Sequence, residues 1–196
     1  MMMKIRFGLG AFVALAATLT AGAVAAAPAG PPAGEEGQRT LIFRSLEDPT
    51  VSNQPQDCPF GGANLLLGAT LWSLQTRADD STIVDEAVQQ IGTAAACGLI
   101  TTPLVPGTLV PFYVEFTLDQ GPDQGTTYTA VGTCQVITNN VPQPGVVLAG
   151  CALRVLQGPE GFLGGAATSM SIFNPRGLEG AGTGSFWTLR VYTAAN

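Results

Sequence analysis

Hydrophobic and polar positions alternate most clearly over residues 112–119. There Phe112, Val114, Phe116 and Leu118 share one face, and Tyr113, Glu115, Thr117 and Asp119 the other. A period of two puts successive side chains on opposite faces of an extended strand, so this segment reads as a strand with one face buried. The same texture recurs along the chain as short β-type runs separated by Gly, Pro, Asn and Asp clusters: 40–46, 63–76, 87–101, 108–118, 127–138, 145–157, 162–173 and 185–193. No stretch sustains a 3.6-residue apolar period. The nearest, Ser81 to Gln90, carries Ile83, Val84, Ala87 and Val88 before Gly92 interrupts it, and predicts at most a short helical turn. Eight consecutive strands with short connections predict an all-β fold, an eight-stranded antiparallel up-and-down barrel, with a two-sheet sandwich as the alternative.

Two departures from clean alternation change the picture. In the last run Trp187, Leu189 and Val191 oppose Phe186, Thr188, Arg190 and Tyr192, so both faces carry bulk. The segments GTAAACGL and GVVLAGCAL are small and apolar on both faces. Strands of that kind are covered twice, by a core on one side and another surface on the other, which predicts a homo-oligomer.

The N-terminus has the three parts of a secretory signal peptide. Lys4 and Arg6 precede a Gly/Ala/Leu/Val run from Phe7 to Ala27 that ends in small-residue cleavage sites. An uncleaved membrane anchor is the alternative, but the run is Ala/Gly-rich rather than Leu/Ile-rich. Residues 1–26 are therefore read as the signal peptide, 27–38 (APAGPPAGEEGQ) as a Pro/Gly-rich linker, and 39–196 as a single barrel domain, secreted or periplasmic. After cleavage six basic side chains remain, all Arg (39, 44, 77, 154, 176 and 190), against 14 acids, so the mature chain carries 6 − 14 = −8. With no Lys and no basic run, neither nucleic acid nor an anionic membrane surface is expected as a partner.

The chain contains no His, which removes Ser-His-Asp and Cys-His catalysis and most zinc and haem sites. No cofactor or metal is predicted, and no residue is assigned a catalytic role. Four Cys in an exported chain predict two disulfides. If NNVPQPG (139–145) is a hairpin bend, Cys134 and Cys151 lie nearly equidistant from it and face each other on adjacent strands. Cys58 then pairs with Cys97. The glycine strings FLGGAATS and EGAGTGSF lack the strand-to-helix setting of a phosphate loop and read as turn and bulge glycines. Asp79-Asp80 reads as a solvated turn, and Trp72, Met170 and Phe173 as packing residues.

Charges inside strands are the candidate chemistry. Arg44, Glu115, Arg154 and Arg190 each sit among apolar neighbours, in a chain with only 22 charged residues. Pointing inwards with Tyr113, Tyr128 or Tyr192, they would orient a polar group on an apolar ligand; pointing outwards, they are solubilising charges. The ligand-binding candidates are Arg44, Tyr113, Glu115, Arg154 and Arg190.

Taken strand by strand, residues 40–193 resemble the dirigent proteins and the wider allene-oxide-cyclase-like barrel group. TLIFRSLEDPTVSNQP is similar to their first strand and long loop, Ile91-Gly92-Thr93-Ala94-Ala95-Ala96 to their V-G-x-A-x-G strand, and GVVLAGCALRVLQGPEGFLGGAATSMSIFNP to their V-V-G-G-T-G-x-F-x-x-A-R-G segment and the strand after it. The resemblance implies an eight-stranded barrel with a ligand cavity, often trimeric, that steers coupling of phenolic radicals or cyclisation of a lipid oxide. Here Arg44-Ser45 stands where the family's first strand carries an acid, and the G-G-T-G run is reduced to Leu148-Ala149-Gly150-Cys151. The expectation is a secreted bacterial-type barrel that binds a small apolar or phenolic molecule and steers its cyclisation or coupling. The alternative is a non-catalytic structural or surface-associated oligomeric module. An open cavity lined by the mid-strand charges would favour the first, and a barrel filled by its own side chains the second.

Overall fold

A computed structural model describes residues 37–76, 83–141, 143–180 and 182–194. The signal peptide and nearly all of the linker, together with Asp79 and Asp80, lie outside the described residues. Eight strands follow in order: β1 (Gln38–Glu47), β2 (Leu65–Thr76), β3 (Ile83–Gly98), β4 (Leu109–Leu118), β5 (Thr127–Thr138), β6 (Val147–Gln157), β7 (Phe162–Phe173) and β8 (Gly184–Thr193). Each pairs antiparallel with its neighbours in sequence, and β1 pairs with β8, which closes the barrel. The expected up-and-down barrel is the fold, and the sandwich alternative is set aside.

One boundary is corrected. Ser81 to Gln90 is the stretch whose spacing admits at most a short helical turn, yet from Ile83 onwards it belongs to β3 and pairs with the end of β2 through Thr76↔Ile83, Gln75↔Asp85 and Leu74↔Glu86. Cross-strand hydrogen bonding there overrides the weak helical spacing. Gly92 does not end the strand either. A Cβ at that position would meet the Thr117 carbonyl oxygen at 2.1 Å, so glycine is what allows β3 and β4 to approach. Within FLGGAATS, Gly164 takes a positive φ of 154° at a register shift between β7 and β8, as a bulge glycine does.

Alternation decides what fills the barrel. Phe112, Val114, Phe116 and Leu118 of β4 point inwards and are buried, joined by Phe43 and Leu71, by Ala94 and Ala96, and by Trp187, Leu189 and Val191. At the centre Phe116 packs edge-on against Phe43 (ring centroids 5.2 Å apart) and Trp187 (5.0 Å), and Trp187 Nε1 donates to Ser45 Oγ at 3.1 Å. Around this stack the space is nearly closed. Towards the end of the barrel that carries Glu47, two voids of about 30 Å³ each flank the Phe112–Phe173 ring pair. Each has room for a water or a methyl group and for no larger ligand.

Both expected disulfides are present. Cys134 and Cys151 are direct register partners on β5 and β6, with Cα atoms 4.0 Å apart, and their side chains join the interior. Cys58–Cys97 spans 6.2 Å between Cα atoms and ties the β1–β2 connection to the outer wall of β3. That connection is a strap. A Cβ on Gly68 would meet the Val51 carbonyl oxygen at 2.4 Å, which shows how closely the strap lies on β2. The chain's own strap therefore covers the outer face of the doubly apolar β3 segment, while among the described residues nothing of the kind covers Gly150, Ala152 and their neighbours on β6 and β7.

Candidate functional site

The five candidate residues of the sequence reading all project from the outer wall, and none enters the barrel. Arg44 stacks over the Phe186 ring, 5.3 Å from its centroid. Arg154 and Arg190 are solvent-exposed on β6 and β8. Tyr113 and Glu115 come together, but as a clasp for the strap. The Tyr113 hydroxyl donates to Glu115 Oε1 at 3.0 Å, and the Gln56 and Asp57 backbone N–H groups donate to the two carboxylate oxygens at 3.1 Å each. A carboxylate taking three hydrogen bonds has its acceptor sites largely committed. Burial beneath the strap, with the Glu115 charge beside it, pushes the Tyr113 phenol well above its ordinary pKa. Of the three expected packing residues, Phe173 packs against the core and Trp72 is half-buried on the outer wall, its Nε1 donating to Thr70 Oγ1 at 2.9 Å. Met170 is the exception. It points out of β7 and is 49% exposed, because its register partners Gly150 and Phe186 also face outwards.

Buried charge lies elsewhere, at the end of the barrel where β1 begins. The β4–β5 loop folds over this end, held by Asp119 N–H donating to the Ile91 carbonyl at 2.8 Å and Gly125 N–H to the Leu118 carbonyl at 2.7 Å. Asp123 of this loop is only 3% exposed and forms an ion pair with Arg39, whose side chain comes from the first turn of the pleat in β1. Beside the pair is Tyr128, the largest fully buried side chain among the described residues. Its phenol is pushed up by burial first and by the Asp123 carboxylate second, with Arg39 opposing. The two groups are therefore close in space. Neither Asp123 Oδ2 nor the Tyr128 hydroxyl has a close hydrogen-bond partner, but the Asp123 carboxylate is near enough to act on the phenol as a hydrogen-bond acceptor.

Next to this cluster the loop leaves a recess of about 240 Å³, reaching Asp123. Its walls are mostly apolar: Leu41 of β1, Ile91 of β3, and Leu118 and Pro122. Its rim carries Gln89 and Gln120, hydrogen-bonded to each other across the opening. An apolar recess with a few convergent polar groups is the usual form of a small-molecule site. Unsatisfied buried acceptors and donors are rare, because each forfeits its hydration without return, so this loosely matched pair is the polar spot of the barrel mouth most open to a new partner. Two larger grooves, of about 550 and 450 Å³, flank the strap on the outer wall, but their lining is more polar than apolar and the second is bordered by the committed Glu115 carboxylate.

Sequence reasoning passed over Asp123 because QGPDQG reads as a turn, and Arg39 because it stands next to the linker. The signal that could have found them was charge at the two positions where a loop and a first strand meet the same barrel mouth. Among the described residues no group of three or more acidic or thiol side chains could hold a metal ion, and no helix is long and apolar enough to cross a membrane. No protein-family model and no curated protein matches the chain.

Proposed function

We propose that this is an exported barrel protein that binds a small, mostly apolar molecule carrying one polar group, in the recess beside Asp123. The observation that carries the reading is Asp123, which reaches the apolar recess and whose Oδ2 has no close hydrogen-bond partner, with the buried Tyr128 phenol beside it. A ligand hydroxyl in the recess would donate to the Asp123 carboxylate, which lines it. Two disulfides fit an oxidising compartment, in line with the signal-peptide reading. The resemblance of strand segments to the dirigent group carries no chemistry, so the function assigned to this recess is binding, without a coupling or cyclisation step.

The test is binding of para-cresol, with toluene as the analogue lacking the hydroxyl, followed by amide chemical shifts. Shifts at Gln89, Ile91 and Gly121, with Asp123→Asn weakening para-cresol about tenfold and leaving toluene unchanged, are the expected result. Absence of shifts at these residues would overturn the reading. A second reading, a non-catalytic structural or surface-associated module, is favoured by the packed interior, where the stack of Phe43, Phe116 and Trp187 occupies the volume a lumenal ligand would need.

A further inference from the structure

Closing the barrel gathers charges that are scattered in the sequence. Among the residues of β1, β5, β6, β7 and β8 the only acid is Glu47, at the very end of β1 and in the inward phase of that strand. The outward positions of these five strands carry Arg44, Arg154 and Arg190 and no acid, in a chain with almost twice as many acids as bases. Register sets two of the arginines in one row. Arg154 of β6 pairs with Ala166 of β7, which pairs with Arg190 of β8, and Arg190 pairs with Thr40 of β1. Two strand spacings separate the arginines, about 10 Å. The residue between them is an alanine, and the next row is Ala152, Thr168, Thr188 and Ile42, so both guanidinium groups stand above a low surface. Neither makes an ion pair or side-chain hydrogen bond among the described residues. Exposed Ile42, Met170 and Phe186 lie alongside.

We propose that this outer wall is a docking face for an acidic polysaccharide. Charge complementarity carries the assignment. Two unpaired guanidinium forks on a shallow strip without a pocket suit carboxylates repeated along a chain, and the neighbouring Ile42 and Met170 offer an apolar surface to the sugar rings. A second copy docked by a two-fold axis would set arginine against arginine without an acid to neutralise them. A flat bilayer would meet these apolar side chains one at a time, spaced by Thr and Ala. The net negative charge of the whole chain acts against any polyanion at long range, so attraction is confined to this strip and is weakened by salt.

The experiment is titration of the full mature protein with polygalacturonate at low salt, with neutral dextran, duplex DNA and phosphatidylserine vesicles as comparisons. Polygalacturonate is expected to bind. Arg154→Gln/Arg190→Gln should weaken it at least tenfold, Ala166→Glu, which sets an acid between the two arginines, should do the same, and Arg176→Gln, in a loop at the Glu47 end of the barrel, should leave it unchanged. All these side chains are exposed, so the variants retain the fold, which an unchanged thermal melt verifies. The proposal falls if polygalacturonate does not bind, if the double variant and Ala166→Glu bind it as tightly as the parent, or if DNA or vesicles bind as tightly as the polysaccharide.

Discussion

Replacing Phe116 with alanine separates a barrel whose interior is a packed core from one whose interior is a ligand chamber. Phe116 is fully buried near the C-terminal end of β4 and meets Phe43 and Trp187 edge-on. Truncating a buried Phe to Ala costs about 3–5 kcal/mol, a range that combines lost transfer energy with the cavity left behind. Two edge-to-face contacts, each contributing about 0.5–1.5 kcal/mol beyond area, place this site at the upper end, near 4–5 kcal/mol. The neighbours have little freedom to collapse into the space, because their own strands are fixed by ladders on both sides. Equilibrium urea denaturation under non-reducing conditions, followed by Trp fluorescence, measures the loss. With a slope of about 2 kcal/mol/M the midpoint falls by about 2 M and the slope stays the same. Benzene, entering the new apolar cavity, should recover part of the loss by mass action. A loss below about 1 kcal/mol would refute the reasoning, since it would mean that the interior already had the room that the packing denies.

Three further outcomes follow from the geometry. Cys58 and Cys97 are 39 residues apart and Cys134 and Cys151 are 17 apart, so chain-entropy arithmetic predicts that removing the first bond costs about 4 kcal/mol and the second about 3 kcal/mol, read from the urea midpoints of the paired Cys→Ala variants. Glu115→Gln should cost about 1–2 kcal/mol and speed hydrogen exchange at the Gln56 and Asp57 amides while leaving exchange in β5–β8 unchanged; unchanged exchange at those two amides would show that Glu115 does not hold the strap. Tyr113 and Tyr128 are both held protonated above the ordinary phenol value of 10, so above that pH the folded state keeps protons that the unfolded state releases. Stability is complete below pH 10 and declines as pH rises, with phenolate absorbance from these two residues appearing together with unfolding, and Tyr128→Phe reduces that decline.

Fold was largely legible in the sequence and the site was not. Alternation in β4 identifies inward and outward residues without a structure, because a half-buried strand writes its two environments directly into a period of two. The cysteine pairing was equally open to reading, since a hairpin makes residues equidistant from its bend into neighbours. Side-chain direction in β1, β6 and β8 was harder. Their outward faces carry Ile42, Ala152 and Phe186, so hydropathy does not tell the two sides apart, and Arg44, Arg154 and Arg190 could not be assigned to a side. Bringing Arg39, Asp123 and Tyr128 to one mouth depends on barrel closure and on how a loop folds over it, and Arg39 and Asp123 are 84 residues apart in the chain. The covering of β3 also differs from the oligomeric cover its composition suggested. A strap of the same chain, fixed at Cys58 and Glu115, supplies the second surface there.

The β1–β8 pairing gives the molecule a cyclic order. Its ladder runs from Gln38↔Tyr192 to Ser45↔Ser185, and the Thr193 N–H donates to the Gly37 carbonyl at 2.6 Å, so the first and last strands end side by side. The wall has no seam that differs in kind from any other, and the position of the chain ends is a property of connectivity rather than of packing. A circularly permuted chain, joined from Thr193 to Gln38 and opened in the turn between β5 and β6, would keep every ladder. Its new ends would leave from strands bonded by Cys134–Cys151, and the disulfide that now closes a short hairpin would close nearly the whole domain, where the constraint it places on the unfolded chain is greater.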